Sequence, residues 1–259
     1  MLATTAPAEP ELRNNSVLAR AATILDAFDG VSPVLSLSEL SCRAGLPKST
    51  VHRFAEQLLA LGWLERTPGG YRVGMRLFEV GGLADRRNRM RDRAMPILHQ
   101  LATTTKCAVH LGVLDRAEVV YLEKLPIKGL TLPTREGGRM PAHCTSLGKA
   151  LLAFAGDEEV ERVISLGLPK RTPATIVSPE ALVSELAAVR KNGVAFDREE
   201  GCAGVSCVAA PIRGAGRAIG AVSVTGFSTV IDLRAASIHV RQAAASIWHE
   251  LFGSRACAS

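Results

Sequence analysis

The 259-residue sequence contains no apolar run long enough to cross a bilayer. Its longer ones, such as Val205 to Ile212, fall far short of the roughly 20 residues a transmembrane helix needs. The opening stretch MLATTAPAEPELRNN lacks the positive start and apolar core of a secretory leader, so the cytoplasm is the expected compartment. Six cysteines, at 42, 107, 144, 202, 207 and 257, form no CxxC pair and no regular spacing. That argues against a zinc ribbon or a disulfide framework, and in an intracellular chain the thiols are expected to be reduced. Repeats, low-complexity tracts, a dinucleotide fingerprint, a metal-binding helix motif and the residue order of a catalytic triad are also missing. What the chain does have is 47% apolar residues, enough for real cores, and a net charge of +6. A basic balance leans toward a polyanionic partner, although many basic proteins never touch nucleic acid.

The densest local signal runs from Ser36 to Leu61, SLSELSCRAGLPKSTVHRFAEQLLAL. It reads as two short helices with a tight turn. Ser36 or Ser38 caps the first, with Glu39 in its opening turn, where a carboxylate suits the positive helix end. Leu40 and Ala44 share a face, Gly45 supplies a left-handed stop, and Leu46 packs behind it. The second helix opens after Pro47, with Lys48 or Ser49 near its cap, and turns Val51, Phe54 and Leu58 inward. Lys48, Ser49, Thr50, His52, Arg53 and Gln57 are left facing outward, a set of cations and donors suited to a major groove. A hairpin whose polar side is merely solvated is the plain alternative. It loses weight at the next segment, where Trp63–Arg66, the turn Thr67-Pro68-Gly69-Gly70 and Tyr71–Val73 read as a two-stranded wing. Arg66 and Arg72 on that wing are placed to meet phosphates.

Around this winged helix-turn-helix, residues 1–14 read as a flexible arm, and Ser16 caps a helix through Phe28, ended by Asp29-Gly30. The DNA-binding domain then spans 15–74. Residues 75–90 read as a linker helix, with Leu77, Phe78, Val80, Leu83 and Ala84 on one side. Gly81-Gly82 weakens it, so tertiary or dimer packing has to support it. The cluster Arg86, Arg87, Arg89, Arg91 and Arg93 reads equally well as a solvated face or as backbone contact to DNA.

Residues 91–259 have a different texture. A helix is expected at 91–104 with Pro96 near its first turn, then strands at 107–114 and 118–125 around Asp115-Arg116. A short third strand at 130–132 and a loop at 136–143 follow. Helices are expected at 146–154, 158–166 and 179–192, strands at 193–197, 206–212 and 218–225, and a closing helix at 232–252. Helices at both ends of a mostly antiparallel sheet make this an α+β domain.

Three constellations bear on chemistry. Gly137-Gly138 with Lys149 fails the spacing of a phosphate-binding loop. Cys144, Cys202 and Cys207 with His110 and His143 could form a metal site or a nucleophile pair, yet buried cysteines usually act as small apolar residues. Asp197, Glu199 and Glu200 follow a strand, where acids are normally solvated. No catalytic residue, metal or cofactor is assigned. What remains is a small-molecule pocket. Thr145-Ser146-Leu147-Gly148 opens a helix whose free N–H groups attract a carboxylate, and Ser223 and Thr225 share one face of a strand. Capping or filler is the ordinary role of such hydroxyls.

Three segments, LSELSCRAGLPKSTVHRFAEQLLALGWLER, GRMPAHCTSLGKALLA and GVAFDREEGCAGVSCVAAPI followed by GAVSVTG, together resemble the isocitrate lyase regulator (IclR) family of bacterial transcription factors. The resemblance covers nearly the whole chain. It implies a multidomain α+β protein: an N-terminal winged helix-turn-helix, a linker helix and a GAF-like effector-binding domain with an antiparallel sheet. It also implies homodimers formed through the DNA-binding end, often paired into tetramers, on palindromic double-stranded operators. Carried over position by position, effector contacts fall on Leu132, Ser146, Leu147, Asp197, Cys207, Ser223 and Thr225. Small-acid binders of the family carry glycine and alanine where this chain has Ser146 and Leu147. With Leu132 and Met140 lining the same side, the expected effector is a carboxylic acid with an apolar, aromatic body. The expected role is a ligand-responsive regulator, a repressor by preference, of a catabolic operon. An enzyme with a DNA-binding appendix using Cys144 or Cys207, or a structural nucleic-acid binder with a vestigial sensor, are the competing readings.

Overall fold

The computed structural model describes residues 16–29, 32–83 and 85–253, the side chains of 85–88 excepted. The arm expected at 1–14, Gly30, Ala84, the side chains of Arg86 and Arg87, and Cys257 lie outside the described residues. The chain divides into two compact units, Met1–Asp85 and Arg86–Ser259.

In the first unit Ser16 caps helix α1, Val17–Asp26, by accepting the Ala19 N–H at 3.0 Å. Helix α2, Leu37–Ala44, starts with a reciprocal cap: Ser36 Oγ accepts from Glu39 N–H, and the Glu39 carboxylate accepts from Ser36 N–H. Gly45 ends it at φ 63°, a left-handed turn that costs glycine little and other residues more. Ser41 then fixes the turn by donating to the Leu46 carbonyl at 2.7 Å. Helix α3 runs Lys48–Ala60 with Pro47 at its N-cap and no side-chain cap. Lys48 and Ser49 are its first two residues, next to the cap as expected, and both are exposed. Leu40, Val51, Phe54, Ala55 and Leu58 close the core with Ile24 of α1.

The wing is strand β1, Leu64–Thr67, paired antiparallel with β2, Gly70–Val73. A lone bridge from Leu35 to Tyr71 ties the approach to α2 against it. The linker departs from expectation. Residues 75–90 are not one helix: α4 spans Met75–Gly82 and stops at Leu83, and α5 spans Asp85–Thr105. Two consecutive glycines at the end of α4 remove the helical preference that would carry it onward. Helix α5 absorbs the separate helix expected at 91–104, which puts Pro96 in mid-helix rather than in a first turn. No residue of α4 is buried.

The second unit is a six-stranded, fully antiparallel sheet ordered β5-β4-β3-β8-β7-β6. Its strands are β3, Ala108–Asp115; β4, Glu118–Leu125; β5, Arg139–Pro141; β6, Ala195–Arg198; β7, Val205–Ile212; and β8, Gly220–Phe227. The third strand in sequence is thus Arg139–Pro141, inside the segment read as a loop, and residues 130–132 are irregular. A three-residue edge strand is too short to alternate visibly, and its proline is tolerated only at an edge. Alternation sorts the strands between two layers. Val109, Leu111, Val208, Val222 and Val224 face α5 and the closing helix α9, Leu233–Phe252. Tyr121, Met140, Ala195, Ala209 and Ala221 face α6, Ser146–Leu152; α7, Asp157–Ser165; and α8, Pro179–Asn192. The second layer is where the site forms.

Candidate functional site

In the first unit, burial of Val51, Phe54, Ala55 and Leu58 forces the rest of α3 outward. Lys48, Ser49, His52, Arg53 and Gln57 are exposed, and Thr50 is half-buried. Two of these are lightly engaged: Arg53 lies 5.5 Å from the Phe54 ring and His52 3.8 Å from Glu56. On the wing, Arg66 bonds Glu56 and covers Tyr71, while Arg72 meets Glu65 across the hairpin at 2.6 Å. These pairs are exposed, so phosphates can replace the carboxylates at little cost. The face offers hydroxyls, amide and cations from one helix plus two arginines from a wing.

In the second unit the sheet brings distant residues together. Leu132, Met140, Ser146, Leu147, Asp197, Cys207, Ser223 and Thr225 all line one cavity, with His110, Tyr121, Thr134 and Thr145. The short helix α6 is pressed onto the sheet. A Cβ at Gly148 would stand 2.1 Å from the Ala142 carbonyl oxygen, so only glycine permits this approach. Thr145 caps the helix by accepting the Gly148 N–H at 3.1 Å, which occupies one of the donors expected to serve a carboxylate. The free volume is about 40 Å³. An engineered cavity of about 150 Å³ accommodates benzene, so this one admits waters and no aromatic ring until something moves. The roomier hollow, about 450 Å³, is an open groove lined by Cys107, Ile127, Leu130, Phe227 and Val230, and it contains none of the eight expected residues.

Family models match both units. Residues 17–68 match the IclR helix-turn-helix domain and residues 84–248 the bacterial transcriptional regulator IclR C-terminal domain. The chain belongs to the IclR family. Similar relatives include the HTH-type transcriptional regulator XynR of Escherichia coli, 37% identical over 82% of this chain and 86% of that protein. The transcriptional repressor IclR of Escherichia coli is 32% identical over 89% and 86% of the respective chains. Among solved structures, an IclR homolog from Microbacterium hydrocarbonoxydans complexed with 4-hydroxybenzoate superposes at TM-score 0.82. It is 33% identical, and the match covers 91% of this chain and 99% of that one. The protein is an IclR-type transcriptional regulator, and its relatives are named as regulators rather than enzymes.

Of the acids expected to be solvated, Asp197 on β6 and Glu200 just after it are buried, and Glu199 is half-buried. Lys149 of α6, wholly buried, donates to both Glu200 oxygens at 2.7 and 2.8 Å and to Glu185 at 3.0 Å. A lysine so committed has no capacity for phosphate. Asp197 accepts the Glu200 N–H at 2.7 Å, and burial nevertheless pushes its carboxyl up to about 6. The thiols are poor nucleophiles: burial raises Cys144 to about 11, and burial followed by the nearby Asp197 carboxylate raises Cys207 well above the ordinary range. His143 faces the Pro169 carbonyl at 3.2 Å. Among the described residues no cluster of three or more His, Cys, Asp or Glu side chains could hold a metal ion. No helix of the described residues is long and apolar enough to cross a membrane.

Sequence reasoning passed over Tyr121 and Thr134 as lining, weighed His110 only for metal or nucleophile chemistry, and named Thr145 only as the start of the helix. His110 had one available signal: in Val109-His110-Leu111-Gly112-Val113 it alternates against the valines and leucine, which puts it on the cavity face of β3. Burial drives its imidazole down to about 3, with the Lys124 charge a lesser cause, so it is neutral at physiological pH.

Proposed function

We propose that this regulator is a repressor of a catabolic operon that binds palindromic operator DNA and is controlled by a small carboxylic acid with an aromatic body. The observation that carries the effector reading is the convergence of eight residues, assigned one by one from sequence, on a single cavity. The 4-hydroxybenzoate complex of the Microbacterium relative supports the aromatic choice, and relatives named as repressors support the sign. The ring packs against Leu132, Met140 and Leu147. The acid group faces Ser146 and the Ser223 hydroxyl, beside Asp197, Cys207 and Thr225. Among the described residues no lysine or arginine lines the cavity, so the carboxylate is held by neutral donors. Helix α6 has seven residues and its cap is partly occupied, so its dipole contributes less than a long helix would.

At the DNA end, Ser49, Thr50 and Arg53 read bases, while Lys48, His52, Gln57, Arg66 and Arg72 hold register on the backbone. Palindromic sites require two copies, and α4 supplies the surface. Phe78 is 77% exposed on an eight-residue helix that buries nothing of its own, and Leu83, just past its end, is 81% exposed. Isolated helices this short are marginal in water, so a second copy of the chain covers it, and pairs associate further into tetramers. The protein acts in the cytoplasm, where its operators are.

Coupling runs through the cover of the cavity. Leu132 and Thr134 line the cavity, and two residues on Glu136 faces Arg91 of α5 at 3.6 Å. Arg91 also donates to the buried Glu123 at 2.6 Å. An effector that lifts the cover pulls on the helix that leads back toward the linker, and the population of DNA-competent arrangements shifts. Calorimetry with aromatic and short aliphatic acids, followed by mobility-shift assays on the upstream DNA with and without the best binder, tests the reading. Tightest binding by a short aliphatic acid, or operator binding indifferent to every acid, overturns it.

A further inference from the structure

A single directional hydrogen-bond chain crosses the floor of the cavity, and its last member sits on the cover. It starts at Cys207 on β7, whose cross-strand partner is Asp197 on β6. The Cys207 sulfur accepts from the Thr225 hydroxyl of β8 at 3.2 Å. Thr225 Oγ1 has then spent its one hydrogen and accepts from His110 Nδ1 on β3, 3.4 Å away. A neutral imidazole carries one N–H, so Nε2 is left as an acceptor, and the Thr134 hydroxyl donates to it at 3.1 Å. The anchored end has fixed the polarity of the free end.

Thr134 belongs to the cover. Its carbonyl and that of Leu132 accept from Lys124 at 2.5 and 3.4 Å. A cavity of about 40 Å³ admits an organic acid only if this segment withdraws, and withdrawal strips Nε2 of its donor. His110 is 2% exposed in the closed state, and an acid filling the opened cavity excludes the water that would otherwise replace that donor. An unsatisfied buried acceptor costs roughly ten- to a hundredfold in an equilibrium constant. We infer that His110 is a specificity-determining residue, which the effector must satisfy with a hydrogen-bond donor of its own as it displaces Thr134. Resting on the acid-effector reading above, this names the class: carboxylic acids bearing a hydroxyl, in preference to the unsubstituted acid or to its ether, which can only accept.

The test is titration calorimetry of the full-length protein with benzoate, the three monohydroxybenzoates and the matching methoxybenzoates. The wild type is expected to bind at least one hydroxybenzoate about tenfold or more tighter than both benzoate and its methoxy partner. In His110→Phe, which keeps a ring against Tyr121, that advantage should shrink to threefold or less. In Thr134→Val, which leaves Nε2 without its internal partner, the preferred hydroxybenzoate should bind several-fold tighter than to wild type. This second variant alters only a half-buried residue of the cover, so it remains decisive even where His110→Phe fails to fold. A hydroxyl advantage that survives His110→Phe, or an affinity unchanged in Thr134→Val, overturns the role of His110. Wild type that binds these acids without regard to the hydroxyl overturns this inference alone, whereas binding none of them overturns the aromatic-acid reading and this inference with it.

Discussion

Two residues show how local environment assigns a role. Arg53 projects from the exposed side of α3, and neighbouring Phe54 holds the helix in the core. Arg53→Ala should weaken operator binding at least tenfold or so, the scale of one bidentate base contact, with calorimetric effector binding unchanged. Unchanged operator affinity in fluorescence anisotropy would mean that the other side of α3 meets DNA. Asp197 behaves in the opposite way, since its raised pKa makes it a liability at neutral pH. Its carboxyl titrates near 6 in the folded protein against about 3.9 in an unfolded chain, so the folded state holds the extra proton between those values. Its stabilising contribution is complete below about pH 4 and is lost as the pH rises through 6, a difference of up to roughly 3 kcal/mol. Asp197→Asn keeps an oxygen for the Glu200 N–H and sheds the charge. Urea melts should find the variant more stable than wild type at pH 8, with the gap closing toward pH 4.

At the level of elements, the legible parts were those with dense local constraints. Ser36, Glu39, Gly45 and Pro47 each dictate a backbone state within a few residues, and the structure follows them. The break after Gly82 was only half visible: two glycines weaken a helix without saying where it stops. Strand β5 was invisible because three edge residues carry no period. The burial of Lys149 depends on partners 36 and 51 residues away, a pairing no local pattern encodes. Two elements carry their own tests. Phe78→Asp puts a charge on the bare side of α4 and should shift sedimentation toward monomer, with operator affinity falling alongside. Glu136→Ala removes the link from the cavity cover to Arg91. It should leave effector affinity within about threefold of wild type while cutting the effector's influence on operator binding, typically worth about 1–3 kcal/mol, to near zero. Coupling that persists in mobility-shift assays would assign transmission to another contact.

For the whole molecule, the fold class was readable from sequence, because a helical period gives way to strand alternation near residue 107. Most of the candidate lining was assigned through the family resemblance, while the helix start at Ser146 and the shared face of Ser223 and Thr225 came from the residues themselves. Geometry added what no alignment of motifs carries: the small free volume, and the polar chain that ends on the cover. Allostery in such a protein is a reciprocal coupling, so DNA must change effector affinity by the factor that effector changes DNA affinity. The near-filled cavity has one more consequence, and it concerns time. A ligand that waits for the cover to open cannot associate faster than the cover opens, however high its concentration. Stopped-flow traces should give an observed rate that levels off with increasing acid, at a ceiling shared by tight and weak effectors alike. The acids would then differ in how long they stay, and the duration of the regulatory response would be set by departure.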